Sequence, residues 1–221
     1  MSGQVQIVVL HTVKYGESAL VIRGYSDSGG RQSFFLRSVK GPKNCAAIQQ
    51  LHPLSIIDAR LSSFSKGEMK SISEFSAAYP LNGIRCQLQK SSMAIFMSEL
   101  IYKTVREVEE NRSLYKYITE SILALERIGR DFTDFHLYFT VGLCRHIGYD
   151  PLLSENTLSQ KSSQILAEIL LKEGDPSHRL NINGEERYNF ISEMTSYLSH
   201  HSGCKIELLS LAVLHDVYGF N

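Results

Sequence analysis

The sequence predicts an α+β protein in which a small five-stranded β-barrel precedes an all-helical region, with the boundary near residue 80. Three observations carry this reading. The first 80 residues hold short runs of β-forming residues between Gly-, Ser- and Asp-rich turns. After Tyr79-Pro80-Leu81-Asn82-Gly83 the hydrophobic period lengthens from about 2 to about 3.6 residues. The charge divides along the same line: residues 1–80 carry nine Lys or Arg against five Asp or Glu, and residues 81–221 carry fourteen against eighteen. A basic front half in a neutral chain points to a polyanionic partner for that half.

The strands come in order. Val5 to Val13, Ala19 to Tyr25 and Gln32 to Val39 are the first three, separated by the turn clusters Lys14–Ser18 and Ser26–Gly30. Ile48 to Ser62 reads as the fourth, with Pro53 marking an edge or bulge because proline donates nothing to a ladder. Ser63 to Gly67 is a turn, and Met69 to Ala78 is the fifth strand. Five strands in about 75 residues fit a small closed barrel, of which the oligonucleotide-binding (OB) type is the commonest and an SH3-like barrel the alternative.

In the second half, Met93, Phe96, Met97, Leu100, Ile101, Val105 and Val108 line one face of a long helix. Glu107, Glu109 and Glu110 give its end a solvated acidic face. Ser113 caps a second helix with Tyr117, Ile118, Ile122, Leu125 and Ile128 inward, closed by Gly129. Asp131 opens a third, whose stripe is Phe132, Phe135, Phe139, Leu143 and Ile147. Ser159 to Glu173, Gly184 to Tyr197 and Lys205 to Tyr218 complete the helical region.

Several function classes are excluded. There is no H-E-x-x-H, no G-x-S-x-G, no Walker A loop and no Rossmann glycine fingerprint, so no catalytic residues, no cofactor and no enzymatic activity are expected. Cys45, Cys86, Cys144 and Cys204 form no C-x-x-C pair and read as small core residues, not as a zinc site. His200 and His201 with Cys204 make a poor metal site, because adjacent histidines on a helix point about 100° apart. No apolar run approaches the roughly 18 residues of a membrane span, and Met1-Ser2-Gly3-Gln4 lacks a signal-peptide n-region. The expected location is the cytoplasm.

The cations of the first half carry the functional signal. Lys14 lies in a turn, Arg23 and Arg31 at strand ends, and Arg37, Lys40 and Lys43 come after Phe34 and Phe35. Aromatic rings beside Lys and Arg on a small curved sheet suit single-stranded nucleic acid, since bases stack on rings while cations track phosphates. Alternation puts Phe35, Arg37 and Val39 on one face and Phe34, Leu36 and Ser38 on the other. One phenylalanine is therefore core and the other a candidate stacking platform. Phe35, on the face of Arg37, joins the DNA-binding set.

The pattern I-V-V-L-x-T-V-K-Y-G-E-S over Ile7 to Ser18 resembles the opening of the bacterial RecO recombination mediators. So do Val39-Lys40-Gly41, Leu51-His52-Pro53-Leu54, the Met97-Ser98-Glu99-Leu100 helix and the turn at Gly148 before Leu152. The likeness runs along essentially the whole chain and is strongest to the shorter Bacteroides-type members. It implies an N-terminal OB domain over 1–80 and a helical, partner-binding domain over 81–221. It also implies binding of single- and double-stranded DNA, annealing of complementary strands, and loading of RecA with RecR onto DNA coated by single-strand-binding protein. The acidic C-terminal tail of that coating protein is a further implied partner, and nucleoid association is implied with it. The implied DNA surface falls on Arg31, Arg37, Lys40 and Lys43, with Lys14 beside them. Many relatives carry a four-cysteine zinc motif after the Gly-x-x-Pro turn. Here Tyr149 to Thr157 contains no cysteine, so no metal is expected. An apolar groove with a nearby arginine suits an acidic, phenylalanine-ended tail, and Arg127, Arg130 and Arg145 are the candidates near the aromatic helix. The alternative is a protein-interaction scaffold whose barrel touches no nucleic acid.

Overall fold

The computed structural model describes residues 3–37, 48–66, 69–153, 158–172, 176 and 178–218. The chain divides into two units, Met1–Asn82 with Val105–Thr119, and Gly83–Thr104 with Glu120–Asn221.

In the first unit, β1 (Gln4–Tyr15), β2 (Ala19–Ser26), β3 (Gly30–Arg37), β4 (Ile56–Lys66) and β5 (Met69–Ala77) close a barrel in the order β1-β2-β3-β5-β4. β4 returns to β1, and every pairing is antiparallel except the short parallel one between β3 and β5. This is the five-stranded OB-type barrel expected from the strand count. Its interior is filled by Val5, Ile7, Val9, Leu20, Ile22, Phe34, Leu36, Ile57, Ala59 and Ile72. Alternation breaks once in β1, at a bulge between Val9 and His11. The extra residue reverses the inside–outside sense of the rest of the strand. Val5, Ile7 and Val9 face inward, whereas Val13 and Tyr15 face outward at 39% and 46% exposure.

The fourth strand starts at Ile56 rather than Ile48. Leu54 stands at φ 65°, which an extended strand does not permit, and Leu51 is drawn into the barrel core. The loop repairs the bulge, because Val9 donates to the carbonyl of Ser55 at 2.8 Å and Leu54 donates to that of Val9 at 2.7 Å. β4 also continues to Lys66, through the residues expected to turn.

The segment 105–119 packs on the barrel's outer surface, although its sequence continues the helical pattern. The Arg31 amide donates to the carbonyl of Glu107 at 2.9 Å, and Arg31 Nη1 to that of Val105 at 3.0 Å. Tyr115 stacks on Tyr25 with centroids 6.3 Å apart, and its hydroxyl donates to Gln6 Oε1 at 2.9 Å. Gly30 permits this approach: at φ 59°, a Cβ there would lie 2.4 Å from the Glu109 carbonyl oxygen.

The helices are α1 (Asn82–Cys86), α2 (Leu88–Thr104), α3 (Arg112–Arg127), α4 (Phe135–His146), α5 (Gln160–Leu171), α6 (Gly184–Ser202) and α7 (Ser210–Tyr218), with a 3₁₀ turn at Pro151–Leu153. On α2 the inward set Met93, Phe96, Met97, Leu100 and Ile101 is fully buried as the period predicts. The helix stops at Thr104, so Val108 is 68% exposed and Glu107, Glu109 and Glu110 lie beyond any helix. Asn111, not Ser113, accepts from the Leu114 amide at the start of α3. α4 is buried nearly all round, as a central helix must be. Ser159 caps α5, and Asn183 with Glu186 forms a capping box on α6. α7 begins at Ser210 rather than Lys205, where Glu99 accepts from the amides of Leu209 and Ser210. Cys144 is buried, but Cys86 is exposed, contrary to its expected core role.

Candidate nucleic-acid interface

Register fixes which side chains share the barrel's outer face. Residues paired across a ladder lie on the same side. His11–Arg23–Ser33, Val13–Val21–Phe35–Ser71 and Tyr15–Ala19–Arg37 are therefore three successive outward rows running across β1, β2 and β3, the middle one reaching β5. Arg23, Val13, Tyr15 and Arg37 in these rows are exposed. Tyr15 meets Phe35 edge to face at 5.6 Å, and the Arg37 guanidinium carbon lies 5.8 Å from the Phe35 centroid. The result is a rigid aromatic base with a cation over it, flanked by a second guanidinium.

This placement corrects the role of Phe35. It points outward as alternation requires, yet only 4% of it is exposed, and Phe34 is wholly inside the core. Phe35 is a foundation rather than a stacking platform, and the exposed ring above it is Tyr15. Arg31 is corrected as well. Its side chain is half-buried and bound to the Val105 carbonyl, so it fastens the 105–119 segment to the sheet instead of standing free for phosphate. Burial, and then the nearby Arg106 and Arg23, hold its pKa below the usual arginine value. Arg31 thus feels the positive charge of both Arg106 and Arg23. Lys14 is exposed and, opposite Leu20, stands at the barrel's mouth. Arg37 keeps the exposed, outward place expected of it, while Lys40 and Lys43 lie outside the described residues.

Tyr15 and Arg106 lay outside the residues singled out from sequence, and Arg23, named there among the first-half cations, was not carried into the DNA-binding set. Tyr15 sat in a predicted turn, and only the bulge turns it outward. Arg106 is distant in sequence from the sheet it reaches. The pairing of Arg23 opposite the Phe34–Phe35 strand was the one available signal.

The arginines proposed for partner binding do not form one cluster by their contacts. Arg127 and Arg130 are exposed at and beyond the end of α3, while Arg145 on α4 faces Asp150 at 3.5 Å. Among the described residues, no group of three His, Cys, Asp or Glu side chains could hold a metal ion, and no helix is long and apolar enough to cross a membrane. His201 instead packs against the Tyr197 ring at 4.3 Å.

Two family models match in the same order as the two halves of the chain. The N-terminal model of recombination protein O matches residues 1–80, and its C-terminal model matches residues 85–165. The chain belongs to the RecO family. A DNA repair protein RecO of Azobacteroides pseudotrichonymphae is 24% identical over 240 aligned residues, covering 99% of this chain and 100% of the relative. Those of Phocaeicola vulgatus and Bacteroides fragilis are 31% and 30% identical, over 65% and 67% of this chain and 60% and 61% of their own lengths. The RecO N-terminal match covers all five strands, and so every row of the outward face.

Proposed function

We propose that this protein is a non-enzymatic, DNA-binding mediator of recombinational repair. The observation that supports this most directly is the outward face of a RecO-type barrel carrying Tyr15 over Phe35 between the guanidinium groups of Arg23 and Arg37. Such a face collects a sugar–phosphate chain without reading its bases. Cations neutralise phosphates and release counterions, and an exposed ring accepts any base. Two complementary strands gathered this way pair through their own hydrogen bonds, so annealing needs no bond-making or bond-breaking by the protein. Lys40 and Lys43 continue the cationic run beyond Arg37 in sequence. The helical domain serves partners: RecR, and the acidic tail of single-strand-binding protein, in the loading of RecA. Arg127, Arg130 and Arg145 are the proposed cations for that tail. The working compartment is the cytoplasm, at the nucleoid.

The test is fluorescence anisotropy with labelled single-stranded DNA, together with annealing of complementary strands, for the wild type and for Arg37→Ala/Lys40→Ala/Lys43→Ala. The triple variant should bind more weakly, with a flatter salt dependence and slower annealing. Unchanged affinity in the variant would remove the barrel face from the proposal. Absence of binding by the wild type at low salt would leave a protein-interaction scaffold as the reading. Titration of RecR and of the tail peptide, with alanine at the three helical-domain arginines, tests the partner assignments.

A further inference from the structure

The outward face of the barrel also carries a titratable group. His11 stands in the row His11–Arg23–Ser33, and its side chain is exposed. The bulge in β1 puts it there. Val5, Ile7 and Val9 face inward, and without the extra residue His11 would follow them into the barrel. The loop before β4 fixes that bulge, through the bonds of Val9 to the backbone of Leu54 and Ser55. The imidazole is therefore held on the face of Tyr15, Arg23 and Arg37. Arg23 is directly opposite it across the ladder, which sets their Cβ atoms about 5 Å apart.

The charges around His11 are mostly of one sign. β2 presents Arg23 opposite it. β3 presents Arg31 in the adjoining row Val8–Tyr25–Arg31, and Arg106 of the 105–119 segment stands near Arg31. Glu107 of that segment acts on Tyr25 in the adjoining row, and Glu17 lies in the turn beyond Tyr15. The loop before β4 carries His52, whose Nδ1 is 3.0 Å from the Pro53 carbonyl oxygen. Among the described residues, the three outward rows contain no Asp or Glu. An imidazole is the side chain that changes charge between about pH 5 and pH 8. Like charges opposite each other on a ladder are unfavourable, and a phosphate between them turns the repulsion into attraction. We infer that His11 is a further phosphate-binding residue of this face and makes its hold on DNA proton-linked. A strand that passes between His11 and Arg23 is bound with uptake of one proton from solvent onto the imidazole, so affinity rises as pH falls. This rests on the DNA-binding reading of the barrel face and adds to it a residue and a regulation by pH.

The experiment is fluorescence anisotropy of the full chain with a labelled oligothymidine, whose bases do not titrate in this range, at about pH 6 and about pH 8 and across salt concentrations. The wild type is compared with His11→Gln, which carries no charge at either pH, and with His11→Arg, which carries one at both. One more phosphate neutralised on a single strand adds about 0.7 to the salt slope, which is about fivefold in affinity at 0.1 M salt when extrapolated from 1 M. Relative to His11→Gln, the wild type should gain about that factor between the higher and the lower pH, with its slope steeper by about 0.7 at the lower. At the higher pH, His11→Arg should bind as the wild type does at the lower. A wild type whose pH dependence matches that of His11→Gln, or a His11→Arg variant as pH-sensitive as the wild type, would overturn the inference and leave the DNA-binding reading standing. No binding by the wild type at either pH would overturn both.

Discussion

The double substitution Arg23→Ala/Arg37→Ala probes the outward face directly. Both guanidinium groups are exposed on rows that register places on one side of β2 and β3. For single strands each phosphate neutralised contributes about 0.7 to the slope of log K against log salt. Losing two should flatten that slope by about 1.4. Extrapolated from 1 M, the same term weakens binding about 10-fold at 0.2 M salt and about 25-fold at 0.1 M. The control is Arg60→Ala on the same barrel, because Arg60 on β4 already faces Glu74 at 3.3 Å and belongs to none of the three outward rows, so it should neutralise no phosphate. Anisotropy of a labelled oligonucleotide across salt concentrations reads both quantities. Tyr15→Ala should add a loss of about 1–3 kcal/mol, the worth of one stacked base, with the slope unchanged. A double variant whose line runs parallel to that of the wild type, or an Arg60→Ala line that flattens as much, would refute the placement of DNA on this face.

Three further outcomes rest on the packing and the sequence. Gly30→Ala should destabilise the protein by at least about 2 kcal/mol, since a left-handed residue with a side chain already costs about 1–2 kcal/mol and here its Cβ would lie 2.4 Å from a carbonyl oxygen. Urea unfolding should show a lower midpoint at unchanged m-value. His136 has a folded-state pKa of about 3, below its unfolded value near 6.5, so its contribution is complete above about pH 6.5 and is lost as pH falls towards 3. Stability of the wild type relative to His136→Gln should therefore decline by about 1.4 kcal/mol per pH unit below 6, and equal slopes for the two proteins would contradict the burial argument. Protein purified without added metal should carry no stoichiometric zinc by elemental analysis, the Tyr149–Thr157 segment having no cysteine.

Local pattern revealed the barrel and the inward face of α2, because both depend on side chains a few residues apart. Gly-rich turns, alternation and the run from Met93 to Ile101 are all short-range signals. Errors arose where a distant segment intervened. Leu54 adopts φ 65° so that the loop before β4 can bond to Val9, and nothing near Leu54 in sequence announces that partner. The segment 105–119 continues directly from an amphipathic helix, yet its carbonyls at Val105 and Glu107 belong to Arg31, 74 residues earlier in the case of Val105. Apolar periodicity does not report a strap held by backbone groups.

The candidate site was half legible for the same reason. Alternation correctly turned Phe35 and Arg37 outward, but outward is not the same as exposed. A ring on a barrel's outer face can be covered by neighbours from the next row, and Tyr15 with Arg37 covers Phe35. The bulge in β1 decides which aromatic is presented: without that extra residue, the inward alternation of Val5, Ile7 and Val9 would carry Val13 and Tyr15 into the core. One inserted residue thus exchanges a buried tyrosine for a surface one beside Arg37. Arg31 shows the converse. A cation chosen for its charge is consumed by a carbonyl, and the strap it anchors brings Arg106 towards the same side of the barrel. The positive character of the face is consequently a product of tertiary structure: Arg106, far along the chain, stands near Arg31, 75 residues before it, because hydrogen bonds from Arg31 hold the strap in place.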